Sequence, residues 1–366
     1  MCATHLPAQG CSFPTSDFKV VDASEAIEEE TLPGYTPEKY YPAQLGEILN
    51  HYQILGKLGF GTTSTVWLAR DYESRYVALK SFLSVSNRDH EVKVYKHFDS
   101  IETDHPGNSK LLGSFQVKGP HGNHLCLVHE PLGPSLHQVL DFYPKRKFPL
   151  GVLKPSLRQI LAAVDLLHST KQVHTKAKTK NLLVGTSDPS AFSIFEDAEF
   201  SQPAPRKMLA DRTIYATRRC LQQMDCPSSV TLEKPGFLMR PGEDIMPNVY
   251  KAPEVILQMS WDCKVDIWNV AMVSCAEITA LMGPPPTEFI RRPEMCRAVW
   301  NEDGSWKGVV PLPDITLEKL AENVTGEDKD GFLQLFRRML HWLPEERPTG
   351  EELIFDSWLI KGLGEN

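Results

Sequence analysis

The feature that constrains this chain most lies at residues 172–185, Q-V-H-T-K-A-K-T-K-N-L-L-V-G. His174 opens a short polar turn, Lys178 and Asn181 follow, and an apolar run of strand type closes the stretch. Just before it, Leu157, Ile160, Leu161, Val164 and Leu167 recur at helical spacing within residues 153–167. That amphipathic helix delivers the chain into the turn. Helix, polar turn and strand in this order fix where Lys176, Lys178 and Asn181 are presented.

At 366 residues the chain is long enough for two lobes or domains with their own cores. Its 41% hydrophobic and 23% charged residues suit a soluble globular protein. A net charge of −8 argues against nonspecific nucleic-acid binding, which needs a basic surface, and is compatible with a basic partner. There is no run of about 18 apolar residues, so no membrane span is expected. The first residues lack the basic and apolar regions of a secretory signal. The eight cysteines are scattered without a C-x-x-C pair, and no histidines follow Cys220 and Cys226 at zinc spacing. Reduced thiols in a cytoplasmic or nuclear protein are expected.

Residues 1–38 hold Pro, Ser, Thr and an acidic cluster, Glu25 with Glu28, Glu29 and Glu30, and read as a flexible, solvated tail. From Tyr52 the pattern is strand, Gly-rich turn, strand. Leu58, Gly59, Phe60 and Gly61 enter the turn, Ser64 stands where a third Gly often sits, and Val66 follows. Two glycines alone signal no more than a hairpin. V-A-L-K at 77–80 supplies the next strand, with Ala78 inside it and Lys80 where an ammonium reaches nucleotide phosphates. By itself Lys80 is equally a surface lysine whose stem lies along apolar neighbours. Residues 88–98 carry Val92, Tyr95 and Phe98 at helical spacing, which puts Glu91 within reach of Lys80; a solvent-facing glutamate is the alternative. Strands are expected at 111–117 and 125–129 around K-G-P-H-G-N. E-P-L-G at 130–133 reads as an extended linker whose backbone at Glu130 and Leu132 can bond an adenine edge, with His129 behind; a plain strand-to-helix turn is the alternative.

Past Asn181, S-I-F-E-D-A-E-F offers Asp197 as a metal ligand, although an Asp in a turn is commonly just a turn residue. A-P-E at 252–254 follows, then a buried helix starting at Asp266. Arg347 in L-P-E-E-R-P-T is the expected buried partner of Glu254.

In this order and spacing the fragments resemble the protein kinases from about Tyr52 to Leu359, and more narrowly the compact fungal-type SR-protein kinases. The likeness is carried by Y-Y-P-A-Q-L-G-E-I-L-N, K-L-G-F-G-T-T-S-T-V-W-L-A, the H-T at 174–175, P-R-K with D-R-T-I-Y, L-M-G-P-P-P-T-E-F and M-L-H-W-L-P-E-E-R-P-T. The long spacer of many SR-protein kinases is absent. The resemblance implies an α+β, bilobal fold for a kinase domain at 39–366. A small β-rich N-lobe with one helix spans about 52–130, a hinge 131–133, and a larger, mostly helical C-lobe 134–366. It implies ATP and Mg2+ as cofactors and Ser/Thr phosphorylation of Arg-Ser-rich splicing proteins. Gly59, Gly61, Val66, Lys80, Glu91, Lys178, Asn181 and Asp197 fall on its nucleotide and metal positions, Asn181 and Asp197 being the metal ligands. Asp197-Ala198-Glu199 then replaces Asp-Phe-Gly, and an activation segment runs from P-R-K through D-R-T-I-Y to A-P-E. A monomer of cytoplasm and nucleus is expected, with no direct contact to nucleic acid or membrane.

The departure with most chemical weight is Lys176, which replaces the Asp that accepts the substrate hydroxyl's proton. A Lys ammonium has three donors and no acceptor, and general-base help contributes about a hundred- to ten-thousand-fold. Thr175 replaces a common Arg, so activity should not await activation-loop phosphorylation. Ala198-Glu199 and Asn269-Val270-Ala271 are lighter changes. Two functions follow: a weak SR-type serine/threonine kinase, or a pseudokinase or scaffold that binds ATP or the partners of active relatives without catalysis.

Overall fold

Apolar and β-branched runs separated by short turns make residues 48–82 and 111–129 an antiparallel sheet. The computed structural model describes residues 11–84, 111–175, 179–185, 188, 190–218, 230–232, 237–238, 251–256, 259–272, 281–283, 285–291, 300–303, 305, 307 and 314–361. Strands β1 (Ile48–Leu49), β2 (Tyr52–Gly61), β3 (Ser64–Asp71), β4 (Tyr76–Phe82), β5 (Leu111–Gly119) and β6 (Gly122–His129) run in the order β1-β2-β3-β4-β6-β5. Thr62 and Thr63 turn β2 into β3, and β5 meets β6 across Pro120 and His121, so both later strands extend further than expected. Register shifts lie between Ile54 and Gly56 and between Lys57 and Gly59, in the half of β2 that leads to the turn. The expected helix at 88–98, and with it Glu91, lies outside the described residues.

Past the sheet come helices α1 (Leu136–Val139) and α2 (Leu150–Ser169), strands β7 (Gln172–Val173) and β8 (Leu182–Val184), helix α3 (Ser190–Ser201), and strands β9 (Arg206–Met208), β10 (Thr213–Tyr215), β11 (Val230–Leu232) and β12 (Phe237–Leu238). Helices α4 (Pro253–Ile256), α5 (Lys264–Met272), α6 (Thr287–Arg291), α7 (Leu317–Leu320), α8 (Glu327–Met339), α9 (Gly350–Ile354) and α10 (Ser357–Ile360) complete the described chain. None of the helices among the described residues is long and apolar enough to cross a membrane. The chain divides into two units. The described part of the first falls within 11–84, 111–134 and 185–218, and that of the second within 135–184 and 230–361.

Residues 190–218 correct one expectation. They hold neither a metal-binding turn nor an activation segment, but a helix and a hairpin folded into the first unit. Phe192 and Phe195 stand three apart on α3 and pack on Leu55 and Leu68. Tyr215 of β10 joins the core of Ile54, Trp67, Val77, Leu79 and Val128, with its ring edge-on to Trp67 at 5.9 Å. The β2–β3 hairpin is thus covered by two separate apolar clusters, and this insertion supplies a cover for each.

The acidic cluster is a second correction: it is no solvated tail. Residues Glu28–Thr31 close a 3-10 turn in which Glu29 is buried against the ammonium of Lys57, itself only 1% exposed. Glu28 lies 3.4 Å from the same Nζ and accepts hydrogen bonds from the N–H and hydroxyl of Thr217. Glu30 takes Lys207 of β9 at 2.9 and 3.0 Å. An unpaired ammonium inside β2 would be prohibitively costly, and the acidic arm supplies its counter-charge. Residues Lys19 and Val21 of the same arm exchange backbone hydrogen bonds with Arg206, whose guanidinium lies 3.8 Å from the Phe18 ring centroid.

In the second unit α2 buries Leu157, Ile160, Leu161, Val164 and Leu167, as its spacing predicts. Glu254 and Arg347 meet as expected. Both are fully buried and joined by two parallel bonds, Nη1 to Oε1 at 2.6 Å and Nη2 to Oε2 at 2.8 Å. Arg347 also donates from Nε to the His341 carbonyl at 2.9 Å and lies over the Trp268 ring at 5.0 Å.

Three substitutions test these packings by chemical denaturation. A Cβ added at Gly56 would stand 2.5 Å from Phe195 Cε1 and 2.9 Å from Cζ. Gly56→Ala should destabilise the first unit by about 1–3 kcal/mol, and adding Phe195→Leu should recover part of it. Arg347→Ala leaves Glu254 buried without its cation and should cost the second unit about 3–5 kcal/mol.

Candidate active site

In the first unit the sheet register sets Gly59, Val66, Lys80 and Leu127 in one row across β2, β3, β4 and β6. Leu58, Gly59 and Gly61 are half-buried on the hairpin, and Phe60 at its tip is 37% exposed. Ala78 faces Leu68 on one side and His129 on the other. Lys80 is buried, its Nζ 5.1 Å from the Phe82 ring centroid. Beyond β6 the chain runs without regular structure through exposed Glu130 and half-buried Leu132, as an extended linker would. A glycine hairpin over a valine, beside a buried ammonium and a stretch of open backbone, is chemically suited to an anionic nucleotide.

In the second unit the turn after β7 is held by a carboxylate. Asp266, in the first turn of α5 and fully buried, accepts from the backbone N–H of His174 at Oδ2 and of Thr175 at Oδ1, each at 2.7 Å. Thr175 has φ +60°, a left-handed conformation that a β-branched residue rarely adopts. The two charge-assisted bonds keep it there. His168, in the last turn of α2, brings Nε2 to 3.2 Å from Asp266 Oδ2. Burial alone would lower the imidazole pKa, but hydrogen bonds to Asp266 and Cys263 outweigh it and raise it to about 9. Asp266 therefore has a cation and two N–H groups around it. Lys176 and Lys178 lie outside the described residues. Asn181 is half-buried at the end of the 3-10 turn Thr179–Asn181, directly before β8.

Asp197 lies in the other unit. It sits mid-way along α3, in the first unit, between two carboxylates already engaged. Glu196 takes Arg70 at 3.0 Å and the Tyr76 hydroxyl at 2.7 Å, and Glu199 takes Arg218 Nε at 2.5 Å. Strand pairing gives the topological counterpart instead. β11 lies antiparallel to β8, with Leu232 opposite Leu182, and β12 to β7, with Phe237 opposite Val173. The link between β11 and β12 thus leads from the strand after Asn181 to the strand before His174. Its sequence is Glu233-Lys234-Pro235-Gly236, and those four residues lie outside the described ones.

Magnesium prefers carboxylate and water oxygens in an octahedron. The donor set departs from the expected one: Asp197 lies on helix α3 of the first unit, and the β11–β12 link holds Glu233 beside Lys234 but no aspartate. Among the described residues no three His, Cys, Asp or Glu side chains gather as a metal site. Sequence reasoning missed three things here. Asp266 was visible only as the start of a buried helix, His168 only as a residue beyond the apolar stripe, and the link 233–236 only as a glycine between the short apolar runs V-T-L and F-L.

A protein kinase domain family matches residues 52–194. The chain is 37% identical over 381 residues to a serine/threonine protein kinase of Aspergillus fumigatus, covering 94% of each. It is 27% identical to the serine/threonine-protein kinase SRPK of Physarum polycephalum, over 89% of this chain and 90% of that one. It is also 33% identical to SRSF protein kinase 3 of Homo sapiens, over 45% of this chain and 31% of that protein. A crystallised kinase domain superposes with a TM-score of 0.65 at 21% identity, over 87% of this chain and 98% of its own, a likeness of fold.

The His168–Asp266 contact predicts a pH dependence. The imidazole's folded pKa is raised from 6.5 to about 9, so its contribution is present in full below about pH 6.5 and lost as pH rises through about 9. Denaturant titrations at pH 6, 7.5 and 9.5 should show the second unit losing on the order of 3 kcal/mol across that window. His168→Gln should flatten the slope.

Proposed function

Because the chain belongs to the serine/threonine protein kinase family, we propose that it is an SR-protein-kinase-like member that binds ATP and Arg-Ser-rich partners with weak or no phosphoryl transfer. The observation that carries this reading is a pair of lysines. Lys176 follows His174 and Thr175 where the proton-accepting Asp acts in kinases. Lys234 stands in the link between β11 and β12, which we read as the counterpart of Asp-Phe-Gly; the pairing of β11 with β8 and of β12 with β7 supports this. Ammonium groups there can take phosphate oxygens but accept no proton and hold no cation.

The nucleotide half is supported by the row of Gly59, Val66 and Lys80 and by the open backbone at Glu130 and Leu132. Arg-Ser-rich partners are supported by the relatives' names and by a net charge of −8, which suits basic peptides. Action as a monomer, in cytoplasm and nucleus, without direct nucleic-acid or membrane contact, is part of the same reading. A second reading, an active serine/threonine kinase, is favoured by the retention of Lys80, Asn181 and the Glu254–Arg347 pair.

The test is γ-phosphate transfer to an Arg-Ser peptide at saturating ATP and Mg2+. The parent and Lys176→Asp should stay near background, and Lys176→Asp with Lys234→Asp should rise by about a hundredfold or more. ATP at a hundredfold excess over its dissociation constant should stabilise the parent by about 2.7 kcal/mol, and Lys80→Ala should abolish that gain. A parent turnover of about 1–100 per second, typical of kinases, would overturn the proposal in favour of the second reading.

A further inference from the structure

The glycine segment of the hairpin, residues 57–61 of β2, is fastened at both its ends by residues that lie before it in the chain. At one end Lys57 directly precedes Leu58 and Gly59. Its Nζ is sealed between Glu29 and Glu28, and lies 5.4 Å from the Phe60 ring and 5.9 Å from the Trp67 ring. Its charge is therefore matched within the protein, unlike a lysine placed to receive phosphate, and its contact with Phe60 steadies the hairpin tip. The Lys57 carbonyl also accepts from the Arg218 N–H at 3.0 Å. At the other end the Tyr40 hydroxyl donates to the Gly61 carbonyl at 3.1 Å. Tyr40 is 6% exposed, and its neighbours are fixed too: the Lys39 carbonyl accepts from the Ser84 N–H at 3.0 Å, and the Pro37 carbonyl from Arg212 Nη1 at 2.5 Å.

We infer that the segment from Glu28 to Tyr40 is a working part of the nucleotide site, with Tyr40 and Lys57 as positioning residues that preform the glycine hairpin. This rests on the ATP-binding reading above. Two glycines give a turn more conformations than any other pair of residues, and closing it over phosphates surrenders them. A hairpin already fixed at Lys57 and at Gly61 has less freedom to lose, which is how preorganisation raises affinity without adding a contact to the ligand. The arm acts on the phosphate end of a nucleotide, because the fastened residues are those of the hairpin and not the linker at Glu130 and Leu132. Loosening it should weaken ATP and leave adenosine unaffected.

Tyr40→Phe removes the hydroxyl and keeps the ring. One neutral hydrogen bond corresponds to a factor of about two to ten, so ATP affinity should fall about fivefold in calorimetry while adenosine affinity holds. Amide exchange at Gly59, Phe60 and Gly61 should quicken, with the unfolding midpoint nearly unchanged. Glu29→Gln, which leaves Lys57 with Glu28 alone, should give the same split between ATP and adenosine and the same faster exchange, together with a lowered unfolding midpoint because a buried counter-charge is lost. Equal losses for ATP and adenosine, or unchanged hairpin exchange in Tyr40→Phe, would show the arm to be packing only. If the parent binds neither ligand, the ATP-binding reading fails separately. Exchange then decides alone, faster hairpin exchange supporting the clamp and unchanged exchange overturning it.

Discussion

The first unit depends on one buried charge. Lys57 lies in the strand that carries the glycine turn, with almost no exposure, and an ammonium there is tolerable only when its counter-charges are built in. Glu28 and Glu29 are those counter-charges, and with Glu30 they also engage Thr217 and Lys207. One short acidic run therefore joins β2, β9 and the chain beyond β10, segments far apart in sequence. Its order follows from the desolvation of Lys57, since three adjacent glutamates on an arm without periodicity have no reason of their own to fold.

The second unit solves a related problem twice, with buried carboxylates at the starts of helices. Glu254 in α4 is answered by Arg347, and Asp266 in α5 by His168 and two backbone N–H groups. Helix N-termini favour negative charge, and each carboxylate also fastens a distant segment. Neither pair includes a group that would touch a transferred phosphate. The residues that frame the turn after His174 are thus distinct from those at positions 176 and 234.

How far the sequence could be read follows from the range of each signal. Helix α2 and the β2–β3–β4 strands were legible because local periodicity and turns specify them. Glu254 with Arg347 was legible through two matching family motifs. The acidic arm was misread because its partner Lys57 looks, in sequence, like any strand lysine; only three-dimensional burial reveals the need for a counter-ion. Asp197 was misread because an acidic residue past an apolar strand fits a metal turn by distance alone. Phe192 and Phe195, three apart, were the sign of an amphipathic helix at that place, and the β8–β11 pairing that moves the counterpart to residues 233–236 is non-local.

The insertion between β8 and β11 also gives the first unit a broken sequence. Its sheet strands end at His129, yet the covers of the hairpin, Phe195 and Tyr215, arrive only after α1, α2, β7 and β8 of the other unit. On a ribosome the sheet would emerge with both apolar clusters incomplete, while the intervening helices begin to form. Completing it requires closing a long loop, whose entropy must be surrendered before Phe195 and Tyr215 return any contact. Domains that lie continuous in sequence can finish one after the other. Here the first unit to be synthesised is completed only after part of the second has emerged, so the wiring of the chain delays its last packing step.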